Sequence, residues 1–219
     1  MNEPLTLNYD FIAIEGNIGA GKTTLSQMLA KDFNTRLILE EFSDNPFLPL
    51  FYENPERHAF SVELFFMSER YQQIQKTMLA QDLFQQKTIA DYFFIKTLLF
   101  ANNTLSGEEY RLFQRFFNIL NANFPKPQLL VYLHRSVEKV MSQIRSRGRE
   151  YEQDISAEYL QKIQTAYLEY FKVENEIPIL ILDVGNIDFV TNQAHYHIIR
   201  DCINRPYNVG IHRISLMTE

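Results

Sequence analysis

Short apolar runs alternate with longer amphipathic stretches along this chain. Phe11-Ile12-Ala13-Ile14 is apolar throughout, the pattern of a strand covered on both faces. The residues from Lys22 to Asp32 read as a helix. Leu37-Ile38-Leu39 is a second strand, ending at Glu40-Glu41. Phe60, Leu64, Met67, Tyr71, Ile74 and Met78 recur at alternating steps of four and three. That spacing makes one apolar stripe and predicts a long helix from Pro55 to Gln81. Thr88-Ile89-Ala90 is a brief third strand, and Phe94 to Ala101 continues as helix. Ser106-Gly107-Glu108-Glu109 has the form of a capping box and opens a helix reaching Asn121. Gln128 to Leu133 is a fourth strand. Ser136 and Ser156 cap the two helices that follow it, the second running to Lys172. Ile177 to Leu182 is the fifth strand, with Pro178 weakening its first residues. Phe189 to Asn204 is a final helix.

Strands alternating with helices call for a parallel sheet joined by right-handed crossovers, with the ligand cleft at the strands' carboxyl ends. The 219 residues suit one sizeable domain. The loop Asn123-Phe124-Pro125-Lys126-Pro127 is too short to divide them.

Composition narrows the partners. The net charge is −6 and the pI near 5.4, which argues against a general nucleic-acid binder. A small basic cluster from Arg145 to Arg149 remains for a small phosphorylated ligand. The single cysteine, Cys202, makes no internal disulfide, and no Cys/His spacing suggests zinc. A reducing compartment and a core position for Cys202 are expected. Met1 to Asn8 shows no positive region followed by an apolar one, so no signal peptide is expected. No apolar run approaches the ~20 residues of a membrane-spanning helix. The expected protein is cytoplasmic, without membrane or nucleic-acid partners.

The chemistry begins at Gly16-Asn17-Ile18-Gly19-Ala20-Gly21-Lys22-Thr23. This eight-residue pattern follows an apolar strand and opens a helix, the context of a phosphate-binding P-loop. Glycines let backbone N–H groups turn inward around phosphate oxygens, and the helix N-terminus adds partial positive charge. Lys22 is expected at the β- and γ-phosphates and the Thr23 hydroxyl on Mg²⁺, with Thr24 completing the cradle. The ligand is ATP or another nucleoside triphosphate. The fold class is therefore a P-loop three-layer α/β/α domain with a parallel, five-stranded sheet.

The run from Glu15 to Thr24 resembles the start of the deoxyribonucleoside kinases. Three further segments agree in order and spacing: Glu40 with Asn45-Pro46-Phe47, then Tyr52-Glu53-Asn54-Pro55-Glu56-Arg57 leading to Arg70, then Arg147-Gly148-Arg149 with Glu152-Gln153. The resemblance covers nearly the whole chain. It implies a homodimer, and one kinase domain over residues 1–219 with a lid at about 145–154. It implies that Glu40 is the base for a sugar 5′-hydroxyl, with Glu41 the adjacent alternative. It implies that Tyr52 and Glu152 bind the 3′-hydroxyl, and that Arg147 and Arg149 are lid arginines. Guanidinium forks suit a transferring phosphoryl group.

The chain also departs from that family. Where an acidic residue followed by arginine is usual after the third strand, it has Ala90-Asp91-Tyr92. Asp91 is left as the acid near Mg²⁺, and the arginine is absent. A lid arginine one helical turn before Arg147 is Gln143, with Arg145 the nearest substitute. The family's base-reading glutamine aligns with Glu63, and an acid beside the base aligns with Lys96. Glu63 and Arg70 share one helix face. An ionised glutamate offers acceptors only, and guanine alone presents two adjacent donors on its pairing edge. Lysine can meet guanine O6 or N7. A preference for deoxyguanosine is expected. Two alternatives stay open at this position: Glu63 and Lys96 bond each other, or cytosine donates its amino group to Glu63. Two broader alternatives are a P-loop kinase of another small acceptor, and a nucleotide-binding domain with degraded chemistry that acts on a partner protein.

Overall fold

A computed structural model describes residues 5–40, 45–79, 87–122, 124–149, 152–185 and 187–216. The apolar runs form β1 (Phe11–Gly16), β2 (Arg36–Ile38), β3 (Thr88–Ala90), β4 (Leu129–His134) and β5 (Pro178–Asp183). A sixth strand, β6 (Gly210–Ser215), joins them in one sheet ordered β2-β3-β1-β4-β5-β6. Every pairing is parallel. The expected count of five is therefore corrected to six. Gly-Ile-His-Arg-Ile-Ser lacks a continuous apolar run because β6 is an edge strand, alternately half-buried and exposed, and only one neighbour covers it.

Period-two alternation divides the sheet's faces. Leu129, Val131 and Leu133 of β4 pack with Ile12 and Ile14 against α1 (Lys22–Phe33) and α8 (Gln193–Ile203). Cys202 lies in that core, as expected of a buried thiol. Leu130 and Tyr132 face the other way, against α4 (Ile95–Thr104) and α7 (Ala157–Val173). This is the α/β/α layering. A third cluster joins α2 (Leu48–Glu53), α3 (Pro55–Leu79) and α5 (Gly107–Asn121) beside the sheet.

Element ends differ from the sequence pattern where local side-chain bonds intervene. The final helix starts at Gln193, not Phe189. Asp188 first accepts from the N–H groups of Val190 and Thr191, and Asn192 then caps the helix through Ala194 N–H, so the turn competes with helix there. Ser136 and Ser156 cap α6 (Val137–Arg147) and α7 through Lys139 and Tyr159 N–H. Ser106 sits at the N-cap of α5, but its side chain makes no capping bond. Six-residue α2 is too short for periodicity to reveal. Ala80 and Gln81, expected to end the long helix, lie outside the described residues.

Strand order reverses beyond β1, where β3 lies on one side and β4 on the other. The crevice at that point opens at the strands' carboxyl ends.

Candidate active site

β1 delivers the chain into this crevice at Gly16. There φ is +152°, and an added Cβ would lie 2.9 Å from the Leu133 carbonyl oxygen. Only glycine lets the turn pass so close to β4. Gly21 precedes α1 at φ +97°, and an added Cβ would lie 3.0 Å from the Phe189 ring. Asn17 is buried; its amide donates to the Leu160 carbonyl at 2.9 Å and its oxygen accepts from Ile18 N–H at 2.9 Å. Ile18 packs against α6 and Ala20 is fully buried. The loop is thus fixed from both sides before any ligand arrives.

Lys22 folds across the loop and donates to the Gly16 and Asn17 carbonyls at 3.0 and 2.9 Å. Burial, and then the Lys96 cation, push its ammonium down to about 8. A phosphate in the cradle would reverse that by supplying opposite charge. The Thr23 hydroxyl donates to Asp91 Oδ2 at 2.5 Å, and Asp91 Oδ1 accepts from the Glu40 backbone N–H at 2.6 Å. A hydroxyl and a carboxylate are hard oxygen donors that fit Mg²⁺. Among the described residues no group of three or more His, Cys, Asp or Glu could hold a metal. A cation here would draw its remaining ligands from phosphate and water.

Glu40 lies two residues past β2. Its Oε1 accepts from Arg70 Nε at 2.8 Å and Nη2 at 2.5 Å, and its Oε2 is ion-paired with Lys96 Nζ. Arg70 extends to the Thr97 hydroxyl at 2.8 Å and lies over the Phe66 ring. Burial alone would raise the Glu40 carboxyl. The Lys96 and Arg70 cations more than offset burial and hold it well below the usual range. Lys96 was expected at the nucleobase, and its ammonium is instead committed to Glu40. No Glu63–Lys96 bridge forms; Glu63 accepts from the Thr104 hydroxyl at 2.9 Å. Glu41, the alternative to Glu40, lies outside the described residues.

One cleft of about 400 Å³ is lined by Lys22, Thr23, Thr24, Glu40, Tyr52, Glu63, Phe66, Arg70, Asp91, Lys96, Arg147, Arg149 and Glu152. A second, of about 570 Å³, shares Gly19, Lys22, Thr23, Thr24 and Arg147 with it and continues past Gly21, Arg135, Gln143 and Phe189. Two cavities meeting over one phosphate cradle can hold a donor and an acceptor.

The sequence profile described as "Deoxynucleoside kinase" matches residues 12–206. The chain belongs to the deoxynucleoside kinase family. Among curated relatives it is 36% identical to the deoxyguanosine kinase of Bacillus subtilis, over 85% of this chain and 92% of that one. It is 34% identical to the deoxyadenosine kinase of Dictyostelium discoideum, over 77% of this chain and 70% of that one. Among solved structures, deoxyadenosine kinase from M. mycoides with bound dCTP superposes with a TM-score of 0.74 at 23% identity, covering 88% of this chain and 98% of that one.

This deoxynucleoside kinase holds its basic segment through Glu152. That carboxylate is buried; it is ion-paired with Arg147 and accepts from Arg149 Nη1 at 3.2 Å. Gly148 supplies the left-handed turn between them at φ +72°. Arg145 is exposed and lines neither cleft, so it does not take the place of the arginine that the family resemblance puts at Gln143. A cation that the sequence reading passed over, Arg135, reaches the second cleft instead. It donates to the carbonyls of Ala20, Gly185 and Ile187 and lies over the Phe189 ring. Its only sequence signal was an arginine directly after an apolar strand. Glu15 was also missed as a structural group. Burial raises its carboxyl, and it accepts from Phe93 N–H at 2.6 Å and the Tyr167 hydroxyl at 2.7 Å.

Arg147→Ala and Arg149→Ala are each expected to lower kcat on the order of 10²-fold, the usual loss for one donor to transition-state charge. Each leaves the buried Glu152 carboxylate one guanidinium partner, so the stability loss should stay within about 1–3 kcal/mol. A large loss of thermal stability with unchanged turnover would make these arginines helix-end cations only.

Proposed function

We propose that this kinase transfers the γ-phosphoryl group of ATP to the 5′-hydroxyl of a deoxynucleoside, preferably deoxyguanosine. The observation that carries this reading is that Glu40 lines the same cleft as Lys22 and Thr23, with acceptor-side groups Tyr52 and Glu63 on its walls. The 5′-oxygen attacks the γ-phosphorus, the bond to the bridging oxygen breaks, ADP leaves, and the hydroxyl proton passes to Glu40. Lys22, Arg147 and Arg149 spread and neutralise the charge on the transferring group. Thr23 and Asp91 would hold Mg²⁺, which neutralises phosphate charge when bound. Tyr52 and Glu152 would bind the 3′-hydroxyl, which requires Glu152 to release an arginine. Residues 145–154 would serve as a lid within a single domain spanning 1–219.

A homodimer is the proposed assembly. Its support is a stripe on α5 where Leu112, Phe116 and Ile119 are exposed at helical spacing. The proposed location is cytoplasmic: Cys202 is a free, buried thiol, and no described helix is long and apolar enough to cross a membrane.

Deoxyguanosine rests on Glu63, supported by the similarity to the Bacillus subtilis enzyme. Burial pushes the Glu63 carboxyl up to about 7, against the Thr104 hydroxyl and the Arg70 cation. Ionised, it accepts from guanine N1–H and the amino group. Protonated, it donates as well and resembles glutamine, which suits adenine N1. Raising the pH through 7 ionises the group and should favour guanine. The ratio of kcat/KM for deoxyguanosine over deoxyadenosine should therefore rise by up to about 100-fold between pH 6 and 8, because the ionised fraction grows about tenfold while the protonated fraction shrinks about tenfold, and kcat/KM reports the free enzyme. Glu63→Gln should abolish that rise and lower the ratio. A flat ratio in the wild type, or an unchanged ranking in the variant, removes Glu63 as the base reader.

A further inference from the structure

The contacts on Glu40 are unequal, and the inequality says which of its oxygens can react. A carboxylate oxygen offers about two acceptor sites. Oε1 has both filled by Arg70, through Nε at 2.8 Å and Nη2 at 2.5 Å. Among the described residues Oε2 carries one partner, the Lys96 ammonium, which leaves one site there open among them. Lys96 is itself buried in the first turn of α4. Its backbone N–H is tied to the Phe93 carbonyl at 2.9 Å and its ammonium lies 5.4 Å from the Phe100 ring centre. Arg70 alone would neutralise Glu40. A second buried cation on the same carboxylate carries a desolvation cost, and the contact it makes is with the oxygen that Arg70 does not touch.

We propose that Lys96 is a positioning residue: it aims Glu40 Oε2 at the acceptor, so that Oε2, with one site occupied by the ammonium, receives the 5′-hydroxyl in the other. Arg70 fixes one end of the carboxylate and Lys96 the other, which stops rotation of the carboxylate plane. This replaces the nucleobase contact expected of Lys96 from sequence. It also accounts for a buried lysine on the helix that follows Ala90-Asp91-Tyr92, since its ammonium reaches the carboxylate oxygen that Arg70 does not touch. The inference rests on the reading of Glu40 as the acceptor's base.

The test is steady-state kinetics of Lys96→Met and Lys96→Arg with saturating ATP and Mg²⁺, for deoxyguanosine, deoxyadenosine and deoxycytidine. Loss of alignment in a reacting group costs on the order of 10²-fold, so Lys96→Met should lower kcat by about that factor while KM for each nucleoside changes less than about threefold. The factor should be the same for every nucleoside, and Lys96→Arg should recover part of it. In a Glu40→Gln background, Lys96→Met should cause no further loss of kcat. A changed nucleoside ranking would return Lys96 to base recognition and overturn the proposal. So would an unchanged kcat, or an additive loss in the double variant. A Lys96→Met protein that fails to fold leaves Lys96→Arg to decide: recovery of less than a tenth of wild-type kcat with altered KM would count against positioning. If the wild type phosphorylates no deoxynucleoside, or Glu40→Gln keeps full turnover, the underlying reading fails, and that outcome is distinct from a failure of Lys96.

Discussion

Lys22→Ala is expected to abolish phosphoryl transfer, a fall of at least about 10³-fold in kcat. Its ammonium sits on the cradle's own carbonyls, Gly16 and Asn17, and lines both clefts. No other side-chain cation lies within the P-loop sequence itself, and charge on the transferring group is where fixed donors contribute most. Folding should survive the change. The substitution removes two hydrogen bonds of roughly 1 kcal/mol each, and it also removes a partly desolvated charge, which opposes that loss. Because the folded group is depressed from 10.5 to about 8, the unfolded chain binds more protons between those values. Wild-type stability should therefore rise with pH from about 8 to 10.5, and the alanine variant should lose that slope. Melting curves at pH 7.5, 9 and 10 read the second effect, and single-turnover phosphate transfer reads the first. Near-normal turnover would remove the P-loop from the chemistry.

Glu40→Gln carries the second large effect. General-base contributions are typically ~10²–10⁴-fold, and a base acts mainly in the transition state, so kcat should fall far more than KM for the nucleoside rises. The lower part of that range is expected. A carboxylate held well below its usual range by Lys96 and Arg70 is a weak proton acceptor, and its larger contribution is to align the hydroxyl. The change also leaves two buried cations without their counter-charge, and breaking such a pair costs about 3–5 kcal/mol. Stability and turnover must accordingly be measured separately. Glu40→Asp keeps the charge while shortening the reach, and should retain the fold and still lose turnover. If Glu41→Gln shows the kinetic loss and Glu40→Gln does not, the base is the neighbouring residue.

The parts of this site that could be read from sequence are those whose chemistry is contiguous. The P-loop needs its glycines, lysine and threonine within one strand–turn–helix, so Gly16 to Thr24 announce themselves. Arg147-Gly148-Arg149 is nearly as local. The Glu40 cluster is different, since Glu40, Arg70 and Lys96 come from the end of β2, from α3 and from α4. Nothing in sequence spacing says that Lys96 meets Glu40 and not Glu63, because the choice depends on how two helices pack across the crevice. Arg135 was hidden for the same reason: its three carbonyl partners lie in the P-loop and in the turn after β5. Among the strands, fully covered β1, β4 and β5 left continuous apolar runs. Edge strand β6 keeps one side in solvent and carries His212 and Arg213, which erased its signal.

The most direct test of the account is product analysis with purified protein, ATP and Mg²⁺, and each of the four common deoxynucleosides in turn. The account predicts one ADP and one 5′-monophosphate per turnover, with deoxyguanosine giving the highest kcat/KM and Glu40→Gln giving almost none. Transfer to deoxynucleoside monophosphates but not to deoxynucleosides, or ATP binding with no transfer to any of the four, would contradict it.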